Sequence, residues 1–213
     1  MKGLIVMPNE LIEKTISALK NHGFVAEFFE NREELCNRVT NIVASGDSVA
    51  IPGTVTVREL ELNTLLKEKG CKVIDRWNSE AKTPEEKKKE IMQTLDADFF
   101  LTSANAVIAT GEILNIDGVG NRVAGMAWSN GDIVYIVGVN KIVPTMQDAF
   151  ERLKNIACPK NATRLKMQTP CALTGQCADC NSPQRFCRVS QLIHRAPMDR
   201  KAYVFIVNEN LGY

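Results

Sequence analysis

The sequence predicts an α/β protein with a mostly parallel sheet and helices on both of its faces. Two observations support this prediction: short apolar segments of strand character alternate with amphipathic segments of helical period, and capping or turn residues stand at the boundaries. Such alternation is typical of strand–helix–strand units, in which the crossover through a helix leaves neighbouring strands parallel.

The first half of the chain holds four predicted helices and four predicted strands. Apolar residues recur at helical spacing from Pro8 to Gly23, and Asn31 is a suitable N-cap for a helix that ends at Gly46. Thr83 and the proline after it start a further helix with an acidic first turn. The predicted strands are residues 24–29, 48–51, 72–75 and 97–102, with a helix over 57–69 between the second and the third.

The second half departs from simple alternation. Two apolar segments flank Thr110 and Gly111, which predicts a hairpin within the otherwise parallel sheet. The predicted elements are the hairpin strands 106–109 and 112–116, a helix over 121–128, and strands over 132–138 and 202–207.

The composition changes after Cys158, where thiols and Thr, Asn, Pro and Gly become frequent. Because the last predicted strand, 202–207, returns to the sheet, the segment before it is an insertion and not a free tail. We therefore expect an α/β domain formed by residues 1–157 and 202–213, and a Cys-rich metal-binding insertion over 158–201.

Composition and charge narrow the function classes. The 26 Lys plus Arg against 25 Asp plus Glu leave no polycationic surface for nucleic acid. No apolar run reaches the roughly 20 residues that span a bilayer, and residues 1–8 lack the apolar core of a signal peptide. Seven cysteines without a secretion signal then indicate a reducing, cytoplasmic location.

The loop Pro52–Thr56, between a predicted strand and a predicted helix, is a candidate anion site. Gly53 permits close backbone approach, and the hydroxyls of Thr54 and Thr56 can donate to a phosphate or carboxylate at the helix N-terminus. The alternative is that one of the threonines caps the helix and the glycine makes the turn. The loop lacks the Lys of a Walker motif.

A second candidate segment begins at Asp117 and has two glycines in the next three positions. Asn121 can cap the next helix, and Arg122 stands in its first turn, where the helix dipole disfavours a cation. Arg122 is therefore expected to face an anion or a carboxylate, with Asp117 and Glu112 as candidates; the alternative is a structural turn with a surface salt bridge. Lys141, just past a buried strand, adds a second cation at the same sheet edge.

Four thiols lie within 17 residues near the C-terminal end, spaced C-x5-C-x2-C-x6-C. The candidate ligands are Cys171, Cys177, Cys180 and Cys187. A C-x2-C pair can direct both sulfurs to one metal, and two further thiols complete a 4Fe–4S cluster or a tetrahedral zinc site. We favour iron–sulfur over zinc, with a redox disulfide or metal-free structural thiols as the remaining alternatives.

The other three cysteines, Cys36, Cys71 and Cys158, are expected to be buried small apolar residues. His194 follows the cluster, and we expect a surface or hydrogen-bonded histidine there in preference to a ligand or an acid/base group.

Five segments carry a resemblance to a known family: Gly53–Leu60, Thr102–Ala106, Thr110–Glu112, Asn115–Ala124 and Val137–Val143. In these segments the chain resembles the LUD-domain family of lactate-utilisation proteins. The resemblance extends over nearly the whole chain. The cysteine segment, Cys171–Cys187, is similar to that of a shorter, stand-alone branch of the family and is missing from other members.

The resemblance implies a fold similar to that of ribose-phosphate isomerase, glucosamine-phosphate deaminase and the CoA transferases. It also implies that the loop Gly53–Thr56 binds phosphate or another anion, and that Glu112 lies roughly where CoA transferases carry a glutamate nucleophile. The implied partners are a small anionic metabolite (a hydroxy or keto acid, a sugar phosphate or a CoA ester) and other lactate-oxidation proteins with iron–sulfur clusters. The family name supplies a pathway and no defined reaction.

Three functions are compatible with these observations. The first is an enzyme or ligand-binding subunit for a small anionic metabolite. Its candidate catalytic residues are Glu112, Asp117 and Arg122, and its candidate ligand-binding residues are Gly53, Thr54, Thr56, Asn121 and Lys141. The second is an accessory electron-transfer or assembly component, and the third is a redox- or metal-sensing regulator. An oligomer is compatible with each.

Overall fold

The computed structural model describes residues 8–213. Residues 1–7, which include most of the apolar start judged above to lack a signal-peptide core, lie outside the described residues. The helices are α1 (Asn9–Asn21), α2 (Arg32–Ile42), α3 (Val55–Glu59), α4 (Leu62–Glu68), α5 (Pro84–Leu95), α6 (Asn121–Ala127), α7 (Met146–Arg152), α8 (Cys158–Arg164) and α9 (Pro170–Thr174). The strands are β1 (Val25–Phe29), β2 (Ser48–Ile51), β3 (Lys72–Asp75), β4 (Phe99–Thr102), β5 (Ala106–Ile108), β6 (Ile113–Asp117), β7 (Asp132–Gly138), β8 (Ile142–Val143), β9 (Val189–Ile193) and β10 (Ala202–Val207).

The main sheet has six strands in the order β1-β10-β7-β4-β2-β3, and every neighbouring pair is parallel. This confirms the predicted α/β fold class. Because parallel strands need crossovers, their apolar residues face helices on both sides. One face packs against α1 and α6 through residues such as Leu19 and Met126, and the other packs against α2, α3 and α4 through residues such as Leu35 and Leu66.

The predicted hairpin forms, but it does not belong to the main sheet. Strands β5 and β6 pair antiparallel, with Gly111 in the turn at a φ of +102°. They join β8 and β9 in a second sheet of order β8-β5-β6-β9. This sheet is apolar on both sides, since Val107 and Ile113 face the main core while Ile108 and Leu114 face α7. Burial on two faces explains why a separate layer is stable.

Two helices begin with the predicted caps, and one predicted helix is broken in its middle. Asn31 accepts a hydrogen bond from the Glu34 amide, and Thr83 forms a capping box with Glu86. The helix predicted over 57–69 is instead broken at Glu61, whose φ is +54°, so that α3 and α4 are separate.

Residues 158–201 contain the helices α8 and α9, an irregular stretch and the strand β9. Their last part, β9, pairs antiparallel with β6 and so completes the second sheet. Residues 175–188, which hold three of the four predicted metal ligands, contain no helix or strand. Across residues 8–213, no helix is both long enough and apolar enough to cross a bilayer.

Arg152 connects the two loops that support the candidate site. Its side chain is 6% exposed, and it donates to the carbonyl oxygens of Asn105 at 2.6 Å and Asn140 at 3.1 Å. Burial lowers the pKa of Arg152 to about 10. These two hydrogen bonds tie the loop after β4 to the loop after β7.

We predict that Arg152→Met lowers the free energy of unfolding by about 3 kcal/mol, because two buried carbonyl oxygens lose a charged donor. Urea denaturation followed by circular dichroism measures this loss. Arg195→Met is the matched control, since exposed Arg195 makes a single hydrogen bond to the Asn21 carbonyl. Equal losses in the two variants would contradict this role of Arg152.

Candidate functional site

The carboxyl ends of four adjacent strands, β3, β2, β4 and β7, meet at one edge of the main sheet. Loops after parallel strands commonly form ligand sites at this edge. Here they surround a cavity of about 390 Å³, a volume within the usual range for small-molecule sites. The end of β6 and residues of α8 close its other sides.

Most of the predicted pocket residues line this one cavity. They are Gly53, Thr54, Thr56, Asp117, Asn121, Arg122 and Lys141. The loop after β2 and the segment after β6 therefore lie on the same side of the molecule. Glu112 is not among the lining residues: it precedes β6 at the end of that strand away from the cavity and hydrogen-bonds to Thr110.

The candidate anion loop, Pro52–Thr56, is shaped by contact with Trp77. Gly53 has a φ of +111°, and a Cβ there would come within 2.6 Å of the indole nitrogen of Trp77. The Trp77 ring contacts two guanidinium groups, Arg58 at 4.5 Å and Arg164 at 4.6 Å from its centroid. Cations over an indole face are attracted by its negative quadrupole. Gly53 therefore allows the ring to hold positive charge at the rim of the cavity.

The helix that follows the loop is too short to supply much of a dipole. Thr54 occupies the N-cap position of α3, but its side chain makes no capping hydrogen bond. Thr56 is 1% exposed, and its hydroxyl accepts a hydrogen bond from Lys141 at 2.7 Å. Because α3 has five residues, side chains must provide most of the attraction for an anion.

Asp117 is the carboxylate that Arg122 faces. The Arg122 Nε donates to Asp117 Oδ1 at 2.6 Å, and the amides of Arg122 and Val123 donate to Asp117 Oδ2 at 2.8 and 3.1 Å. Asp117 is 5% exposed. Its carboxylate accepts hydrogen bonds at the N-terminus of α6 and also pairs with Arg122, the cation that the helix dipole disfavours there.

The prediction that Asn121 caps α6 is wrong. Gly120, at a φ of +89°, is the N-cap residue, and Asn121 is the first residue of the helix. The Asn121 side chain donates instead to the Pro52 carbonyl at 3.1 Å. It thus joins the segment after β6 to the anion loop after β2.

Lys141 is almost completely buried at the bottom of the cavity, with 2% exposure. Its Nζ donates to Thr56 Oγ1 at 2.7 Å and to Ser103 Oγ at 2.9 Å. Burial lowers the pKa of the amine well below its ordinary value, and the charges of Arg152 and Arg122 lower it further, against a smaller effect of Glu59. The local environment therefore disfavours the positive charge that the sequence assigns to Lys141.

Several residues that shape the cavity are not among the sequence-based candidates. Arg76 and Arg164 line it, and neither forms an ion pair with a carboxylate in the part of the chain that the structure describes. Arg164 Nε donates to the Tyr213 hydroxyl at 2.6 Å. Ser103 also lines the cavity, and its position directly after a predicted strand is one where ligand-binding residues often occur.

The cysteine segment forms part of the cavity wall. Phe186 lines the cavity, and its backbone passes so close to Gly118 that a Cβ on that glycine would lie 2.8 Å from the Phe186 oxygen. The Arg188 amide donates to the Asp117 carbonyl at 2.9 Å. The thiol-bearing segment and the candidate ligand site are thus in direct contact.

The structure adds Cys158 to the predicted group of thiols. It is buried, as predicted, but it is not isolated. Burial raises the pKa of the Cys158 thiol to about 12, and neighbouring thiols add to this shift. These neighbours are, in order of effect, Cys187, Cys177 and Cys171. Cys36 differs from its prediction, since it is only half-buried.

No described cysteine is in a disulfide, and all seven are free thiols. Near the C-x2-C pair, the Asp179 amide points at Cys177 Sγ from 3.5 Å, and Arg185 donates to the Cys180 carbonyl at 2.8 Å. A donor to sulfur such as the Asp179 amide stabilises a thiolate, whereas Arg185 fixes the backbone at Cys180. However, within residues 8–213 no three His, Cys, Asp or Glu side chains are already arranged to hold a metal ion.

A family model for the LUD domain matches residues 12–207. The chain belongs to the LUD-domain family. It is therefore a protein of the lactate-utilisation type, as the resemblance predicts. Among solved structures, the crystal structure of a DUF162 family protein from Deinococcus radiodurans is similar, with a TM-score of 0.53 and 13% identity over 93% of this chain and 97% of that one. At this identity the likeness concerns the fold alone. No curated protein was found to match the chain.

We predict that Gly53→Ala in this LUD-domain protein displaces Trp77 and changes its fluorescence. The new Cβ has no room beside the indole, and the positive φ adds a strain of about 1–2 kcal/mol. A Trp128→Phe background leaves Trp77 as the sole tryptophan of the chain. Gly46→Ala is the matched control, because Gly46 has a φ of +94° and open space around it. An unchanged spectrum for Gly53→Ala would be inconsistent with the packing described.

Proposed function

We propose that this LUD-domain protein binds a small anionic metabolite in the cavity at the sheet edge. The observation that carries the proposal is the charge of the lining: Arg76, Arg122 and Arg164 border the cavity, and Asp117 is the one acidic side chain among the described lining residues. Since Asp117 pairs with Arg122, two guanidinium groups keep unneutralised charge. Planar guanidinium groups suit carboxylate and phosphate oxygens.

The proposal places the anion at the rim, near Arg164 and Trp77. Arg164 is exposed, and the Trp77 ring and the Tyr213 hydroxyl hold its guanidinium in place. Preorganised donors bind more tightly, because less side-chain entropy is lost on binding. Thr54 and Gly53 border the same space and would contact the ligand. Hydroxy or keto acids, sugar phosphates and CoA esters all carry an anion that fits this description.

We also propose that the cysteine segment binds a metal centre, with a 4Fe–4S cluster in preference to zinc. Its support is that the Cys158 thiol lies beside Cys187 and is near enough to Cys177 and Cys171 for them to raise its pKa, and all four are free thiols. Because no complete ligand group is preformed, we expect metal binding to reorganise residues 175–188, as happens when metal binding is coupled to folding. Cytoplasmic location and contact with other lactate-oxidation proteins remain predictions.

An accessory electron-transfer role is the second candidate function. It is favoured by the contact between Phe186 and Gly118, which puts the cysteine segment against the cavity wall. A cluster there would lie close to a bound metabolite. In such a role the chain would need no reaction of its own.

We predict that Arg164→Gln weakens anion binding by about 10- to 100-fold, the loss expected for one charge-assisted contact. Isothermal titration with pyruvate and with inorganic phosphate measures the affinity. Arg195→Gln removes an equal charge outside the cavity and should leave the affinity unchanged. Equal weakening by both variants would indicate a general charge effect and contradict the proposed site.

We predict that protein purified without oxygen is brown, contains iron and inorganic sulfide, and shows broad visible absorbance. Cys177→Ser should remove the colour, whereas Cys36→Ser should keep it, because Cys36 lies in α2, away from the cysteine segment. Colourless protein with stoichiometric zinc would contradict the cluster and leave a zinc site. Protein without either metal would contradict the metal proposal altogether.

A further inference from the structure

We propose that Lys141 is a nucleophile that forms an imine with a small anionic carbonyl compound bound in the cavity. The inference rests on the proposed function, because the carboxylate or phosphate of that compound is the anion held at the rim. It assigns to Lys141 a covalent role in place of the anion-binding role that the sequence suggests.

The first argument is the position of the amine. The Lys141 side chain is 2% exposed, yet it lines the cavity. Thr56 and Ser103 contact its Nζ from two sides, and Gly212 packs near it so closely that a Cβ there would lie 3.3 Å from Nζ. The amine is thus held from three sides, and the cavity is the space through which a ligand can reach it.

The second argument is the hydrogen-bond pattern. Ser103 Oγ donates its own proton to the Ile136 carbonyl at 2.5 Å, so it accepts from Lys141. Thr56 accepts the second hydrogen bond from the amine. A neutral amine has two N–H donors and one lone pair. Both donors are used by the hydroxyls, which leaves the lone pair as the group available for a carbon atom.

The third argument is the charge around Lys141. A buried ammonium is stable when a carboxylate faces it, but its two hydrogen-bond partners are hydroxyls. Arg122 and Arg152 are the charges that act on it most strongly, and both disfavour the protonated form, while Glu59 opposes them weakly. Neutral lysines in such surroundings are nucleophiles at ordinary pH. Exposed lysines are protonated there and do not react readily.

The reaction is balanced without any further reactant. The Nζ lone pair forms a bond to the carbonyl carbon, and the π electrons of the C=O bond move to its oxygen. A proton passes from nitrogen to that oxygen and gives a carbinolamine. The hydroxyl group then leaves with a second proton from nitrogen as water, and the C=N bond forms. One amine and one carbonyl compound thus give one imine and one water.

Two geometric facts connect this chemistry to an anionic carbonyl compound. The guanidinium of Arg164 lies at the exposed rim and the amine of Lys141 at the buried end of the same cavity. A ligand that spans them has an anionic group at one end and a carbonyl carbon near the other. Both 2-oxo acids and phosphorylated ketoses meet this description.

The test is reductive trapping with sodium cyanoborohydride at neutral pH, in one arm with pyruvate and in the other with dihydroxyacetone phosphate. Peptide mapping by mass spectrometry of the wild-type protein should find one reduced adduct, on Lys141, in at least one arm, and the arm that reacts identifies the class of compound. Lys160 is the internal control, since it is an exposed lysine on α8, near the cavity, and should stay unmodified.

Lys141→Met should abolish the adduct, and Lys160→Met should retain it. Adducts that spread over exposed lysines, with Lys160 labelled as heavily as Lys141, would overturn the inference. Calorimetric binding of either compound to the wild-type protein without an adduct on Lys141 would overturn the imine and leave the proposed anion site intact. Neither binding nor adduct for these compounds and for inorganic phosphate would overturn both.

Discussion

The carboxylate of Asp117 is the constraint on which the rest of the site depends. It is buried at the end of β6, where it accepts hydrogen bonds from the first amides of α6 and from the side chain of Arg122. The carbonyl of the same residue accepts from Arg188, which follows the last predicted metal ligand. A buried carboxylate needs several donors to offset its desolvation. The hydrogen bonds to Asp117 therefore fix α6, the Arg122 guanidinium and the start of β9 relative to the cavity.

The cysteine segment and the cavity meet through this arrangement around Asp117. β9 pairs with β6 along its length, so the cysteine segment that precedes β9 is delivered to the cavity wall by backbone hydrogen bonds. Gly118 completes the contact, because any larger residue would collide with Phe186. A change in the cysteine segment, whether metal binding or oxidation, must therefore move a wall of the proposed ligand site or be resisted by it. This gives the proposed anion site and the thiols a physical reason to occur in one chain.

Strand bounds and helix caps that depend on neighbouring residues can be predicted from the sequence. The strands β2 and β3 have their predicted bounds because each has β-branched apolar residues between turn residues, and Thr83 caps α5 because its hydroxyl and Glu86 are three residues apart. The sequence misses what depends on distant pairing. The hairpin lies in a second sheet because β9, more than 70 residues later, pairs with β6, and nothing in residues 106–117 encodes that partner.

The candidate site follows the same division. Gly53, Thr56 and Lys141 could be found because each follows a predicted strand of the main sheet, and parallel strands bring their carboxyl ends together. Arg164 could not, since it lies in α8 and its place at the cavity depends on packing against Trp77 and a hydrogen bond to Tyr213. The protonation of Lys141 could not be read from the sequence either, because it depends on Thr56, Ser103 and Gly212 surrounding the amine. Residue type alone suggests an anion-binding cation there, whereas burial between hydroxyls and beside arginines lowers the pKa of the amine and so disfavours its charged form.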